Sequence, residues 1–278
     1  MMALSVIRRL RWSLLVGLCC LLVLLTNCGG NNSSTSGTGD TGGAAKTLTV
    51  GTEPAFAPFE FKGTNGELQG FSIDLMNAIA KSAGFTVNFQ SLPFDGLIPA
   101  LQGKTIDAAI SSMTITKERS QTVDFSRPYF KAGLAIAVRS DNQDITNFVS
   151  LENKRIAVQI GTTGAEEAKK VAGAKISSFD SAPLALQELK NGNVDAVIND
   201  APVTLYAIKT ANLSGIKVVG QLLTEEFYGI ATAKNSPNLA TINQGLGTVL
   251  SNNTYAQIYK KWFNAEPPKL PEKSPFAN

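Results

Sequence analysis

The sequence predicts an α/β protein built from two duplicated lobes joined by two hinge strands. Three observations lead there. First, the chain repeats itself. Leu101-Gln-Gly-Lys-Thr-Ile-Asp107-Ala108-Ala-Ile110 matches Leu189-Lys-Asn-Gly-Asn-Val-Asp195-Ala196-Val-Ile198, with leucine, the Asp-Ala pair and isoleucine at the same internal spacing. LTVGTEP at 48–54 pairs in pattern with IAVQIGTT at 156–163, and AGLAIAV at 132–138 pairs with YGIATA at 228–233. Three pairs in one order indicate two related units. Second, each unit reads strand–helix–strand–helix–strand, the pattern of a mostly parallel sheet. Third, the two Gly-led runs are the natural places for the chain to cross, and two crossings make a hinge with a cleft beside it. The expected boundaries are 46–130 plus 229–265 for the first lobe and 134–223 for the second.

The elements follow in order. Arg8, Arg9 and Arg11 precede an apolar run from Leu14 to Leu25. That run is shorter than the roughly 20 residues a bilayer span needs, and a basic start, a short apolar stretch and small polar residues read as an export signal over 1–28. The run ends Leu25-Thr26-Asn27-Cys28, which resembles the lipobox of bacterial lipoproteins, with Asn27 in place of the usual small residue. Cys28 is then the expected lipidation site; an ordinary secretory signal cut nearby is the alternative. Residues 29–45 are mostly Gly, Ser, Thr and Asn with one charge, a flexible tether.

Lys46–Thr52 alternates into a strand. Glu53 to Phe59 is a proline-stiffened loop expected to expose its aromatics, and Gly63 to Gly66 is a hairpin-type turn. Ser72 is expected to cap a helix whose Phe71, Leu75, Met76, Ile79 and Ala80 share a face, stopped by Gly84. Phe85, Val87 and Phe89 alternate into the next strand, and 95–102 form a short helix before Gly103. Ile106–Ile110 is a buried strand that breaks into Ser111, Ser112, Thr114 and Thr116, with Lys117-Glu118-Arg119 opening a helix capped by Thr116. In the second lobe Thr163-Gly164-Ala165-Glu166 reads as a capping box, whose helix N-terminus suits an anion. Residues 246–263 read as one amphipathic helix, and 266–278, with four prolines, as a mobile tail.

Composition removes whole classes of chemistry. The chain has no histidine, so Ser-His-Asp triads, Cys/His dyads and His-ligated metals are excluded. All three cysteines, Cys19, Cys20 and Cys28, lie in the signal region, so the mature part has no disulfide or thiol chemistry. No catalytic set, metal site or cofactor is expected. The net charge of +3 includes the signal arginines, and no basic run is interleaved with aromatics, so nucleic acid is not an expected partner.

Strand ends that turn into helices form a pocket at the carboxyl edge of an open sheet, where ligands bind. Across the cleft Ser111-Ser112 would face Asn199-Asp200, and Glu53 and Phe56 would face Gln159 to Thr163. Arg119 reads two ways: a bidentate clamp on a carboxylate, or an ion pair with Glu118 or Asp124 on a solvated helix. Arg119, Thr114 and the GTTG helix end together favour an anion; Asp200 favours a cation. An arginine for a carboxylate and an aspartate for an ammonium is what an α-amino acid requires. Glu53, Phe56, Phe94, Ser111 and Gln159 complete the wall, with Glu53 accepting from a side chain rich in N–H donors. Phe56 and Phe94 also read as core, Asp200 as a helix cap, and Gln159 as a partner of nearby backbone.

PFEF at 58–61, GFSIDL at 70–75, DGLIPAL at 95–101, MTITKER at 113–119, VDFSRPYF at 123–130, GTTG at 161–164, DA-x-I at 195–198 and YKKWF at 259–263 resemble the family 3 bacterial solute-binding proteins. These are polar amino-acid receptors of ABC importers. The resemblance implies a periplasmic-binding-protein-like two-lobed flytrap, a polar amino-acid ligand and membrane permease subunits as partners. It also implies a monomer held to the membrane by its lipid, in a periplasm or on a cell surface. It implies that Arg119 grips the α-carboxylate, Asp200 the α-amino group, and Phe56 and Phe94 the side chain; Thr163 falls in the matching GTTG, and Ser112 directly precedes MTITKER. Glu53 stands where aspartate is common, and Gln159 where glutamine receptors often carry lysine. The VQ-x-GTTG form resembles arginine and broad-specificity members, so arginine or lysine is expected ahead of glutamine. Two rival classes remain: a dehydratase-like enzyme on this fold, working through carboxylates, Lys or Tyr, and a ligand-sensing subunit for a separate signalling partner.

Overall fold

The computed structural model describes residues 45–210 and 213–276. The signal segment with Cys28, the tether up to residue 44 and the last two residues lie outside the described residues.

Two five-stranded sheets carry the fold. The first runs Thr86–Ser91, Thr47–Thr52, Ala108–Ala109, Ala231–Ala233, Val123–Phe125. The second runs Lys175–Phe179, Arg155–Gln159, Ala196–Asp200, Leu134–Arg139, Ile216–Val219. In each, three parallel strands are followed by an antiparallel one. The echoed segments occupy the same third place in both sheets. Their shared aspartate has one job in each. Asp107 Oδ2 accepts the Thr49 N–H at 2.8 Å, and Asp195 Oδ2 accepts the Arg155 N–H at 2.9 Å. Asp107 and Asp195 also donate their own N–H to the Thr49 and Arg155 carbonyls. Each aspartate therefore pins the start of its strand to the neighbouring one.

The hinge is the antiparallel pair Phe130–Ala132 with Glu226–Tyr228. The crossings thus precede the two Gly-led runs, which belong to the sheets themselves. Gly133 marks one junction because a Cβ there would lie 2.3 Å from the Thr224 carbonyl oxygen. Backbone approach this close admits only glycine.

Several local expectations are corrected. The loop from Glu53 to Phe59 buries its aromatics: Phe56 and Phe59 are both buried, and Phe59 packs edge-on against Phe71, Phe130 and Tyr228. Burying each such ring contributes roughly 1.5–3 kcal/mol, which outweighs the polar look of the loop. The helix Phe71–Ala83 starts after Gly70, not at Ser72; Ser72 is inside it, buried, with its hydroxyl beside the Glu60 carboxyl. Its apolar face and its Gly84 stop follow the sequence pattern. The strand expected at 106–110 is only Ala108–Ala109. The C-terminal helix is two helices, Asn238–Ser251 and Thr254–Phe263, broken where Asn253 adopts φ 68°. Asparagine tolerates that left-handed geometry better than other non-glycine residues. Beyond them Leu270 packs partly buried against the first-lobe core.

Candidate functional site

One narrow pocket is lined from both lobes by Glu53, Phe56, Phe94, Ser111, Ser112, Thr114, Arg119, Gln159, Thr162, Thr163 and Asp200. All ten residues named from the sequence as candidate ligand contacts line it. Thr162 is the addition.

Local folding places each of them. On the first lobe, the strand Ala108–Ala109 stops early, and Ser112 sits at φ 48°, a costly conformation for a residue with a Cβ. That turn delivers the Ser112 N–H to the buried Tyr129 hydroxyl at 3.0 Å and leaves Ser111 Oγ accepting the Glu53 N–H at 2.9 Å. Arg119 opens the single-turn helix Arg119–Thr122, with its N–H held by the Thr116 hydroxyl. Its guanidinium turns inward rather than to Glu118 or Asp124; Asp124 pairs with Lys234 instead. Nη1 donates to the Thr114 carbonyl at 2.8 Å, and Nη2 crosses to the Gly161 carbonyl of the second lobe at 2.9 Å. Gly161 can offer that carbonyl because it takes φ 76°. The guanidinium carbon lies 5.4 Å from the Phe94 ring centre, a cation–π distance.

On the second lobe, the helix Thr163–Lys169 is capped by Thr162, whose hydroxyl accepts the Ala165 N–H. The capping box read at Thr163 is therefore one residue out. Thr162 has the extended backbone of a cap, which leaves Thr163 in the first turn with its hydroxyl free for Glu226 Oε2 at 3.0 Å. Asp200 ends the strand Ala196–Asp200 and precedes the helix Ala201–Lys209 without capping it through its side chain. Its Oδ1 accepts the Tyr228 hydroxyl instead. Gln159 reaches across the cleft and donates from Nε2 to Glu53 Oε2 at 2.8 Å. Asn199, expected to face the cleft, bonds inward to Thr204.

The electrostatics are lopsided. Burial pushes the Glu53 carboxyl up to about 7, against the pull of the Gln159 amide and with a further push from Asp95. Burial also pushes Asp200 up to about 7, with the Glu226 charge adding to it and the Tyr228 hydroxyl opposing it. Burial lowers Arg119, partly offset by the fields of Glu226 and Asp200. Beneath the pocket Glu60 is buried and raised well above the carboxylate range by desolvation. Among the described residues, neither Glu53 nor Asp200 has a cation within ion-pair distance, and Arg119 has no carboxylate.

Three functional-looking residues were not foreseen: Glu226, Tyr228 and Glu60. Glu226 and Tyr228 lie on the hinge strand, where nothing in a single sequence tells a buried acid from a solvated one.

Known proteins frame this geometry. The family described as bacterial extracellular solute-binding proteins, family 3, matches residues 48–265. A probable histidine-binding protein of Neisseria gonorrhoeae is 33% identical over 254 residues, covering 90% of this chain and 94% of its own. An ancestral arginine-binding protein solved bound to arginine is 49% identical with a TM-score of 0.76, over 78% of this chain and 98% of that one; it was also solved bound to glutamine. An ancestral amino acid-binding protein, a precursor of cyclohexadienyl dehydratase, is 43% identical with a TM-score of 0.72, over 78% of this chain and 95% of that one.

Proposed function

The chain belongs to family 3 of the bacterial extracellular solute-binding proteins, and from that premise we propose that it captures a polar L-amino acid with a basic side chain for an ABC importer. One observation carries the choice of ligand. Among the described residues, the pocket holds two buried carboxyls without a cationic ion-pair partner, Glu53 and Asp200, and one arginine without a carboxylate, Arg119. A basic amino acid supplies two cations and one carboxylate. Its α-carboxylate meets Arg119, its α-ammonium Asp200, and its side-chain cation Glu53. Phe56 and Phe94 wall the side chain, and stacking of a guanidinium on such rings contributes about 0.5–2 kcal/mol. The ligand N–H groups take over the place of the Gln159 amide on Glu53.

Glutamine is the second reading, favoured by the glutamine-bound form of the ancestral protein. Its amide would satisfy Glu53 by hydrogen bonds but leave that charge uncompensated. A thermal-shift screen of the twenty amino acids decides, because the shift grows with the logarithm of ligand over dissociation constant. Arginine or lysine should shift the melting temperature most. A largest shift with glutamate or aspartate would overturn the assignment of Glu53.

The protein works as a binding component rather than an enzyme. A dehydratase descended from this fold would use one of the buried acids, and turnover of prephenate-like acids would reveal it. Lobe closure around the ligand, a monomeric state, docking on membrane permease subunits and lipid anchoring through Cys28 complete the reading. Cys28→Ser should release the protein from membranes; a wild type already wholly soluble would remove the anchor.

A further inference from the structure

Glu226 lies on the hinge strand Glu226–Tyr228, is buried, and does not line the amino-acid pocket. Three hydroxyls converge on it. Thr114 Oγ1 donates to Oε2 at 2.6 Å from the first lobe, Thr163 Oγ1 donates to the same oxygen at 3.0 Å from the second, and Thr224 Oγ1 donates to Oε1 at 3.1 Å. The Thr224 hydroxyl already accepts the Leu134 N–H at 3.0 Å, which fixes the direction of its own bond toward the carboxylate.

A hydroxyl has one proton and two lone pairs, and an ionised carboxylate can only accept. Thr114 and Thr163 both line the pocket that Asp200 also lines. With their protons directed to Glu226, each has only lone pairs left for a ligand. We propose that Glu226 is a positioning residue that sets the polarity of these two pocket hydroxyls, making them acceptors for the ligand's α-ammonium beside Asp200. The proposal rests on the amino-acid reading above. It also reassigns Thr114. From the sequence its hydroxyl sided with Arg119 in favouring an anion; held by Glu226, it sides with Asp200. The carboxylate is left to the Arg119 guanidinium. Because Thr114 and Thr163 belong to different lobes, the same carboxylate makes this acceptor pair complete only when the lobes are together.

Glu226→Gln tests the idea. The amide keeps the shape but replaces one acceptor oxygen with a donor. Thr224, at the Oε1 place, already accepts the Leu134 N–H, which disfavours the donor there. With the donor at the Oε2 place, Thr114 or Thr163 must accept from it and turn its own proton into the pocket. The ligands are L-arginine, δ-guanidinovalerate, which lacks the α-amine, and argininamide, which lacks the carboxylate, each measured by calorimetry. Wild type should prefer arginine strongly over both analogues. In Glu226→Gln the preference over δ-guanidinovalerate should fall at least tenfold, while the preference over argininamide stays within about twofold. Glu226→Asp, which can still only accept, should restore most of the lost discrimination. A uniform loss for all three ligands would show a merely structural role, and no loss would show no role; either overturns the proposal. Should Glu226→Gln melt before binding can be read, Thr114→Val and Thr163→Val report the same acceptors, and unchanged discrimination in both overturns it equally. If wild type binds no amino acid at all, the amino-acid reading fails instead, which the thermal-shift screen reports separately.

Discussion

The two lobes share a scaffold, and the chain beyond their third strands leads to end groups of opposite charge, Arg119 in one and Asp200 in the other. Each pins its third strand with an aspartate that accepts the neighbouring strand's N–H, Asp107 in one and Asp195 in the other. Beyond that point they diverge. In the first lobe the strand ends after Ala109, Ser112 turns at φ 48°, and the chain reaches Arg119 on a one-turn helix. In the second the strand runs on to Asp200, and Ala201-Pro202 starts a helix at once. Proline suits the first turn of a helix, where its missing N–H has no partner to lose. A short strand with a polar loop thus delivers a guanidinium, and a long strand with an abrupt helix delivers a carboxylate. Duplication fixed where the half-sites lie; the loop after the strand decides what each one offers.

The largest effects should come from exchanging those two end groups. Arg119→Lys keeps the charge but loses the planar fork that reaches the Thr114 and Gly161 carbonyls together and that we propose as the carboxylate clamp. Disrupting a buried charged contact costs on the order of 2–5 kcal/mol, so calorimetry with arginine should show affinity lower by at least about thirtyfold. Asp200→Asn can still accept from Tyr228 and should cost less, about 1.5–3 kcal/mol. Equal affinity in Arg119→Lys would remove it as the carboxylate clamp. A larger loss in Asp200→Asn than in Arg119→Lys would reverse the ranking of the lobes.

Acidity offers a second, smaller way to separate them. Glu53 and Asp200, one from each lobe, both sit near 7 because burial disfavours their charge. Between about pH 4.5 and 7 the folded chain holds protons that the unfolded chain has released. Each group therefore makes the unliganded protein less stable as pH rises through that window, by on the order of 1 kcal/mol per pH unit. Binding of a cationic ligand has the opposite trend, because it needs both carboxyls ionised. Arginine affinity should rise from pH 5.5 to pH 8 with proton release, and Asp200→Asn should release about one proton fewer. Calorimetry in buffers of different ionisation enthalpy measures this directly. A flat pH profile would mean that neither acid meets the ligand's cations.

Much of this arrangement was legible in the chain. The Asp-Ala echo located both third strands, and all ten candidate pocket residues line one pocket. Local signals governed those outcomes: a strand end, a hydroxyl cluster, a helix start. What escaped was decided by distant packing. Phe59 looked like a loop aromatic, yet Phe71, Phe130 and Tyr228 surround it from far along the sequence. Glu226 carries no local signal that separates it from its neighbour Glu225. Glu225 is exposed and pairs with Lys131, whereas Glu226 is buried among three threonines from three segments. The expected caps differ by one or two residues: at Thr163 the neighbouring Thr162 hydroxyl takes the role, and at Ser72 the helix starts after Gly70 with no side-chain cap at all, outcomes that backbone dihedrals decide.

The smallest expected effect tests the shared part of the two lobes. Asp107 and Asp195 make equivalent bonds to the adjacent strand, but their surroundings differ. Asp195 also holds Arg155 through two guanidinium nitrogens, Nε at 3.1 Å and Nη2 at 2.6 Å, which pulls its carboxyl below the usual range. Among the described residues Asp107 has no ion-pair partner. Both lie away from the pocket. Replacing either with alanine removes the bond to the strand, worth about 1 kcal/mol. The Arg155 pair is partly exposed and adds little, since surface ion pairs are weak. Asp195→Ala and Asp107→Ala should therefore lower the melting temperature by similar amounts, about 2–4 °C each, and leave arginine affinity unchanged. Salt and acid separate them. The extra stability from the Asp195 pair is present above about pH 4, the ordinary aspartate value, and disappears as pH falls through its depressed folded value. At high salt the two variants should converge. A much larger loss in Asp195→Ala that persists in high salt would mean that the aspartates are not equivalent strand pins, and that the second lobe depends on its surface arginine in a way the first does not.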